Sequence, residues 1–233
     1  MSGQITRGMP LGEAIYSLAI HPDYKVFLDI GTFHGTGTTK ILVDTLQNNT
    51  ICKIYSVEAN TQFYKSATKY WIPKPVCLEL LWGKLSGVMM SQAQIERHPG
   101  FKEIEDHYRL HYKQDCIDFA RAPIVDLPAY VDVAIMDGGE FCGEGDLERV
   151  LNLRPKVIVL DDTKVIKNSG NLKHLLANGW VVQAQGSDRN GWAILVRKSA
   201  TPPSPTQYMS PDDKYWASFE KYCDTIYGEK PKV

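Results

Sequence analysis

Five short segments of the chain, KVFLDI, CKIYSVE, VCLELLW, VDVAIMD and KVIVLDD, are nearly continuous in apolar residues rather than alternating with polar ones. A strand with one wet face alternates, whereas a continuous run of this length suits a strand covered on both faces, as in a parallel sheet. Helix-like segments lie between and after them: Thr38 to Leu46, Thr61 to Tyr70, Ile104 to Phe119, Gly145 to Leu151 and Asn171 to Ala177. Strand and helix alternate, so the expected class is α/β with a Rossmann-like, doubly wound sheet. Late in the chain WVVQAQ and WAILVRK are joined only by GSDRNG, too short for a helical crossover, so these two strands pair antiparallel. The expected sheet is mainly parallel and ends in an antiparallel C-terminal hairpin.

A chain of 233 residues accommodates one such domain, expected over 25–198, with appendages. Residues 1–24 form an N-terminal cover segment with a short helix around Leu11 to Ile20, placed over the sheet or over a ligand. Residues 87–130 are longer than a plain crossover, and insertions of this kind often shape a substrate pocket. Residues 199–233 combine a Pro-rich linker with an aromatic amphipathic helix, which docks on its own core or on a second copy of the chain as a homodimer.

Lys plus Arg number 26 against 27 for Asp plus Glu, a formal charge of -1, so no overall basic field favours nucleic acid as a partner. The five cysteines are odd in number and never spaced as CxxC, which fits neither a disulfide framework nor a zinc cluster. No apolar run approaches the roughly 18 residues of a membrane span, and the N-terminus lacks the pattern of a secretory signal. The expectation is a soluble cytoplasmic protein with no membrane partner.

The segment VFLDIGTFHGTGTT places Gly31, Gly35 and Gly37 directly after the first strand. Glycines permit the tight turn and let a ligand approach the backbone, while the following helix offers unpaired N–H groups. The spacing departs from G-x-G-x-x-G, and Asp29 precedes it. A carboxylate here repels a pyrophosphate and attracts a cationic ligand such as S-adenosylmethionine, with its sulfonium and α-amino group. Glu58, at the end of YSVE, is an acceptor for both hydroxyls of an adenosine ribose. After the third strand, WGKLSG brings Gly83 and Lys84 to the same crevice. The expected donor-binding residues are Asp29, Gly31, Thr32, Phe33, Gly35, Glu58, Gly83, Lys84 and Asp137. A helix cap and a solvated acid are the bland reading of Asp29 and Glu58.

Two further strands end in acids, giving Asp137 with Glu140, and Asp161 with Asp162. Strand C-termini of a parallel sheet open on one edge, so Asp137, Asp161 and Asp162 should converge there. Three carboxylates without an Arg or Lys nearby would repel one another unless a hard cation such as Mg²⁺ or Mn²⁺ sat among them. Helix or turn capping is the alternative for each acid.

DIGTFHG resembles the E-x-G-x-(Tyr/Phe)-x-G motif of the metal-dependent class I O-methyltransferases, the catechol and caffeoyl-coenzyme A type. The resemblance continues through YSVEAN, the strand-four Asp and the pair Asp161-Asp162, and spans roughly residues 25–198 at pattern level. The Asp-Asp pair is similar to the macrocin-type sugar O-methyltransferases. The resemblance implies strand order 3-2-1-4-5-7-6, S-adenosylmethionine as donor, a divalent metal on Asp137, Asp161 and Asp162, and transfer to a small-molecule hydroxyl. Where the catechol-type enzymes carry a catalytic lysine, three residues after the strand-four Asp, this chain has Glu140. Glu140 is then the expected base, Asp137 its catalytic partner, and a sugar or glycan diol the expected acceptor.

Trp71, Trp82 and Tyr130 are candidates to stack on a sugar face, with core packing or turn filling as the alternative. His107 and His111 share one face of a helix and, with Asp106 or Asp115, form a zinc candidate, a polar helix face being the alternative. His34 is an alternative base, and Arg189 and Asn190 are assigned to turn chemistry. Two rival functions remain: a nicotinamide-dependent oxidoreductase, and a non-catalytic binding module on a methyltransferase fold.

Overall fold

The computed structural model describes residues 4–98 and 101–197, with backbone only over 102–110. The expected linker and C-terminal helix of 199–233, and the side chains of Asp106 and His107, lie outside the described residues.

Seven strands form one sheet: β1 (Val26–Ile30), β2 (Lys53–Glu58), β3 (Leu78–Trp82), β4 (Val133–Met136), β5 (Val157–Asp161), β6 (Trp180–Gly186) and β7 (Trp192–Arg197). Their order is β3-β2-β1-β4-β5-β7-β6. β1 to β5 are parallel, while β7 runs antiparallel to both β5 and β6. The order reverses between β1 and β4, and such a switch point leaves a crevice beyond the strand C-termini.

The helices are α1 (Pro10–Ile20), α2 (Thr38–Leu46), α3 (Thr61–Tyr70), α4 (Gln92–Arg97), α5 (Phe101–Arg121), α6 (Gly143–Asn152) and α7 (Ile166–Ala177). Side chains of successive strand residues point to opposite faces, and both faces of β4 and β5 are apolar. Val133, Ile135, Val157 and Val159 pack with α1 and α2 in one cluster. Ala134, Met136, Ile158 and Leu160 pack with α6 and α7 in the other. The unbroken apolar runs thus reflect burial on two sides. Within the 1–24 segment, α1 buries Leu11, Ile15 and Leu18 in the first cluster.

The insertion carries two helices where the sequence pattern suggests one. The short α4 begins with a capping box, in which Ser91 accepts from the Gln94 N–H and the Gln94 side chain accepts from the Ser91 N–H. The chain leaving α5 returns to the sheet, where the Lys84 N–H donates to the Pro123 carbonyl (2.9 Å) and the Val125 N–H to the Lys84 carbonyl (3.0 Å).

If α1 is part of the core, Ile15→Ala, at a fully buried position, should destabilise the protein by about 2–5 kcal/mol. Urea denaturation is the measurement, and an unchanged midpoint would make α1 a dispensable cover.

Candidate functional site

A cavity of about 540 Å³ opens at the C-terminal edge of the sheet, large enough for a nucleoside-sized ligand. Its wall is built by the loop after β1, the ends of β2 and β3, the loop after β4, α5, and the turns after β5 and before β7.

The β1 loop follows from two steric demands. Gly31 has φ +98°, and a Cβ there would lie 2.2 Å from the Asp137 carbonyl oxygen, so the backbones after β1 and β4 nearly touch. Gly35, at φ +77°, is packed against Trp71, whose Nε1 donates to the Gly35 carbonyl (3.1 Å). Gly31, Thr32 and Phe33 line the cavity; Gly35 and Trp71 are not part of its wall. Gly37 caps α2 without a side-chain hydrogen bond, and both Gly37 and Thr38 line the cavity.

The two acids expected to bind the donor differ in placement. Asp29 is fully buried and off the cavity wall, accepting from Thr39 Oγ1 (2.6 Å) and Ser56 Oγ (2.9 Å). Both bonds fall on Oδ2 and tie α2 to β2, while Oδ1 is buried with no hydrogen-bond partner among the described residues. Glu58 does line the cavity, its oxygens accepting from the Phe33 N–H (2.7 Å) and the Asn60 N–H (2.8 Å). Burial pushes its carboxyl up to about 7 against those two bonds. Gly83 and Lys84 are also on the wall, with the Lys84 ammonium bonded to the Phe119 carbonyl.

Asp137, Asp161 and Asp162 do converge, each offering one oxygen within 4.8 Å of the others. The condition under which they would repel one another, that no Lys or Arg lies nearby, does not hold. Lys167 Nζ donates to Asp137 Oδ1 (2.6 Å) and Asp162 Oδ2 (3.0 Å). Arg189 donates to Asp161 through Nη2 (2.9 Å) and Nε (3.2 Å), and Asn190 Nδ2 donates to Asp162 Oδ1 (2.9 Å). Arg189 and Asn190 therefore do more than form the β6–β7 turn. Burial raises Asp137 to about 6 despite the Lys167 charge, whereas Asp162, also buried, is held below the usual range by Lys167, Asn190 and Arg189. A divalent ion does not fit this arrangement: an ammonium already bridges two of the carboxylates and a guanidinium holds the third.

Glu140 lines the cavity, as does His111, while His34 is off the wall and its Nδ1 pairs with Ser66 Oγ at 2.9 Å. Trp82 and Tyr130 are likewise not on the wall, so the expected tryptophan and tyrosine platform is absent among the described residues; the aromatic lining is Phe33, Phe63 and Phe119. Sequence reasoning missed Lys167, Asp118 and Asp146 as wall residues, and named Asp115, which also lines the cavity, only as a zinc partner of the histidines. Lys167 stands five residues after Asp162, on the first turn of α7, a placement that the spacing DDTKVIK allows. Asp146 is buried, and its Oδ1 has no hydrogen-bond partner among the described residues.

Seven acidic side chains on the wall (Glu58, Asp115, Asp118, Asp137, Glu140, Asp146 and Asp162) outnumber Lys84, Lys167 and Arg189; a cationic ligand would favour the ionised form of those that burial raises toward neutrality, so the cavity suits a cation better than a pyrophosphate.

No protein-family model and no curated protein matches the chain, but solved structures do. An O-methyltransferase from Bacillus cereus in complex with SAH matches at TM-score 0.55 and 15% identity, covering 84% of this chain and 83% of that one. TomG from Streptomyces achromogenes, an O-methyltransferase involved in tomaymycin synthesis and solved with SAM, matches at 0.52 and 16%, over 81% and 79%. TrmK from M. capricolum, in complex with S-adenosylhomocysteine, matches at 0.51 and 12%, over 96% and 85%. The fold is that of the S-adenosylmethionine-dependent methyltransferases. At these identities the likeness speaks for the fold alone. Among the described residues, no helix of this methyltransferase fold is long and apolar enough to cross a membrane.

Burial raises Asp29, Glu58, Asp115 and Asp146 to about 7. Unfolded carboxyls lose their protons near ~4, so from roughly pH 4 to pH 7 the folded state holds more protons and stability falls as pH rises. Asp162 acts in the opposite sense, but its contribution is lost only at strongly acid pH. The ligand-free protein should therefore resist urea better at about pH 5.5 than at about pH 8, and Asp146→Asn should flatten the difference. Equal midpoints at the two pH values would contradict this burial effect.

Proposed function

We propose that the protein is an S-adenosylmethionine-dependent O-methyltransferase acting on a small polyhydroxylated molecule, a sugar or glycan diol. The observation that carries the reading is Glu58: a carboxylate at the end of β2, on the wall of the switch-point cavity, with each oxygen engaged by only one backbone N–H. Those oxygens retain lone pairs for the two ribose hydroxyls of an adenosine. Asp146 Oδ1, buried and unpaired, is an acceptor suited to the exocyclic amine of adenine. The excess of acidic groups over Lys84, Lys167 and Arg189 suits a sulfonium and an α-amino group and opposes the pyrophosphate of a nicotinamide cofactor. It also opposes a polyanionic acceptor such as RNA.

The donor supplies a methyl group already activated on sulfonium sulfur. The chain's residues then bind, orient and move a proton. Gly31 and the loop after β4 bring backbone from two strands to one point, which positions donor and acceptor in line. Glu140, on the same wall, accepts the proton of the acceptor hydroxyl as the new O–CH₃ bond forms and the S–CH₃ bond breaks, leaving a neutral thioether. The carboxylate-rich wall offers many acceptors to a hydroxyl-rich molecule, which supports the sugar class in the absence of a tryptophan platform among the described residues.

Calorimetry with S-adenosylhomocysteine tests the donor site. Glu58→Ala should weaken binding by about 1.5–3 kcal/mol, the value of charge-assisted hydrogen bonds. Unchanged affinity would remove the adenosine assignment. In an acceptor screen with labelled donor, Glu140→Gln should keep affinity for S-adenosylhomocysteine while lowering transfer by about 10²–10⁴-fold. A full rate would assign the proton to another group.

A further inference from the structure

The carboxylates after β4 and β5 hold a cation that belongs to the chain itself. We propose that the Lys167 ammonium, rather than a divalent metal ion, is the resident cation of the Asp137–Asp162 pair and the group that meets the acceptor oxygen during transfer; this rests on the methyltransferase reading above.

Three observations carry it. Lys167 is buried, yet it lines the cavity, so its charge is both shielded from bulk water and presented to a ligand. Its Nζ lies 2.6 Å from Asp137 Oδ1 and 3.0 Å from Asp162 Oδ2, the two wall carboxylates of the cluster. An ammonium has three N–H donors, and these two bonds leave the third for an oxygen in the cavity. The third acid, Asp161, does not reach the wall and is held by the two donors of Arg189.

The surroundings hold the lysine in place. Asn168, the next residue on α7, donates through Nδ2 to the Asp161 carbonyl (2.7 Å) and the Met136 carbonyl (3.1 Å), pinning the helix start to the ends of β4 and β5. The Lys167 carbonyl lies 2.2 Å from where a Cβ on Gly143 would stand, so α6 and α7 are in close backbone contact at this point. Asp162 takes φ +57°, and its Oδ2 accepts from Lys167. A side chain fixed this way costs little reorganisation when charge develops beside it.

In the transfer step the acceptor hydroxyl gives its proton to Glu140. The oxygen becomes more negative as it attacks the methyl carbon, and the third Lys167 N–H stabilises that charge. The O–CH₃ bond forms, the S–CH₃ bond breaks, and the electron pair of the broken bond stays on sulfur. Lys167 ends the step as it began, protonated.

The test is Mn²⁺ binding followed by electron paramagnetic resonance on the full chain, wild type against Lys167→Met and Lys167→Ala. Wild-type protein should leave equimolar Mn²⁺ free, and the variants, with the ammonium removed from between the carboxylates, should bind it; Asp162→Asn in the Lys167→Ala background should abolish that gain. Stoichiometric Mn²⁺ binding by wild type overturns the proposal. So does failure of folded variants, verified by circular dichroism, to gain the ion. Should neither variant fold, the wild-type measurement still decides. With an acceptor that turns over, wild-type activity should survive EDTA, and Lys167→Met should lower kcat by about 10–10³-fold; activity lost in EDTA and restored by Mg²⁺ would overturn it. S-adenosylhomocysteine binding to wild type is measured alongside. Its failure would remove the methyltransferase reading and leave the Mn²⁺ result standing as evidence on Lys167.

Discussion

Strands buried on both faces leave their ends as the main place for polar chemistry, and this constraint organises the molecule. β4 and β5 bury every residue between two helix layers. Charged side chains can enter only where the strands stop, so Asp137, Asp161 and Asp162 gather at one edge. Carboxylates gathered in a poorly hydrated place require compensation, since an unpaired buried charge is costly. Lys167 and Arg189 provide it, one from the first turn of α7 and the other from the β6–β7 turn. The antiparallel hairpin thus brings a cation and an amide to the end of a parallel sheet.

Backbone proximity is the second organising feature. The loop after β1 and the loop after β4 approach so closely that no side chain fits at Gly31. Glu58 and the loop after β4 line the same cavity. The contrast between Asp29 and Glu58 follows from their positions on the strands. Asp29 is one residue short of its strand end and points into a hydroxyl cluster of Thr39 and Ser56, whereas Glu58 closes its strand and faces the cavity. A carboxylate near a glycine loop is therefore not by itself a ligand contact.

Much of the fold was legible because it depends on short-range pattern. The helices at Thr38 and Thr61 begin and end where the apolar spacing says, and Asn60 caps the second by accepting from two N–H groups. The brevity of GSDRNG dictated the antiparallel pair. The insertion was less legible: α4 spans only Gln92 to Arg97, too short for a periodic signal, and is recognised by its capping box instead. The aromatic candidates failed for a related reason, since Trp71 is used on the Gly35 carbonyl and Trp82 on that of Ala59. Composition cannot say which hydrogen bond an indole will make.

The sequence alone determined the class of sheet, its antiparallel end and the edge at which acids collect, because strand burial and connection length are properties of contiguous residues. The tertiary structure decided which acids meet the cavity and which cations meet the acids. Lys167 is 30 residues from Asp137, and Arg189 is 28 from Asp161. Such pairs form only when separate elements dock, and the electrostatic character of a site is the sum over all of them. A run of acids along the chain fixes the negative charges of the site, but only the packing of α7 and the β6–β7 turn against the sheet sets what neutralises them.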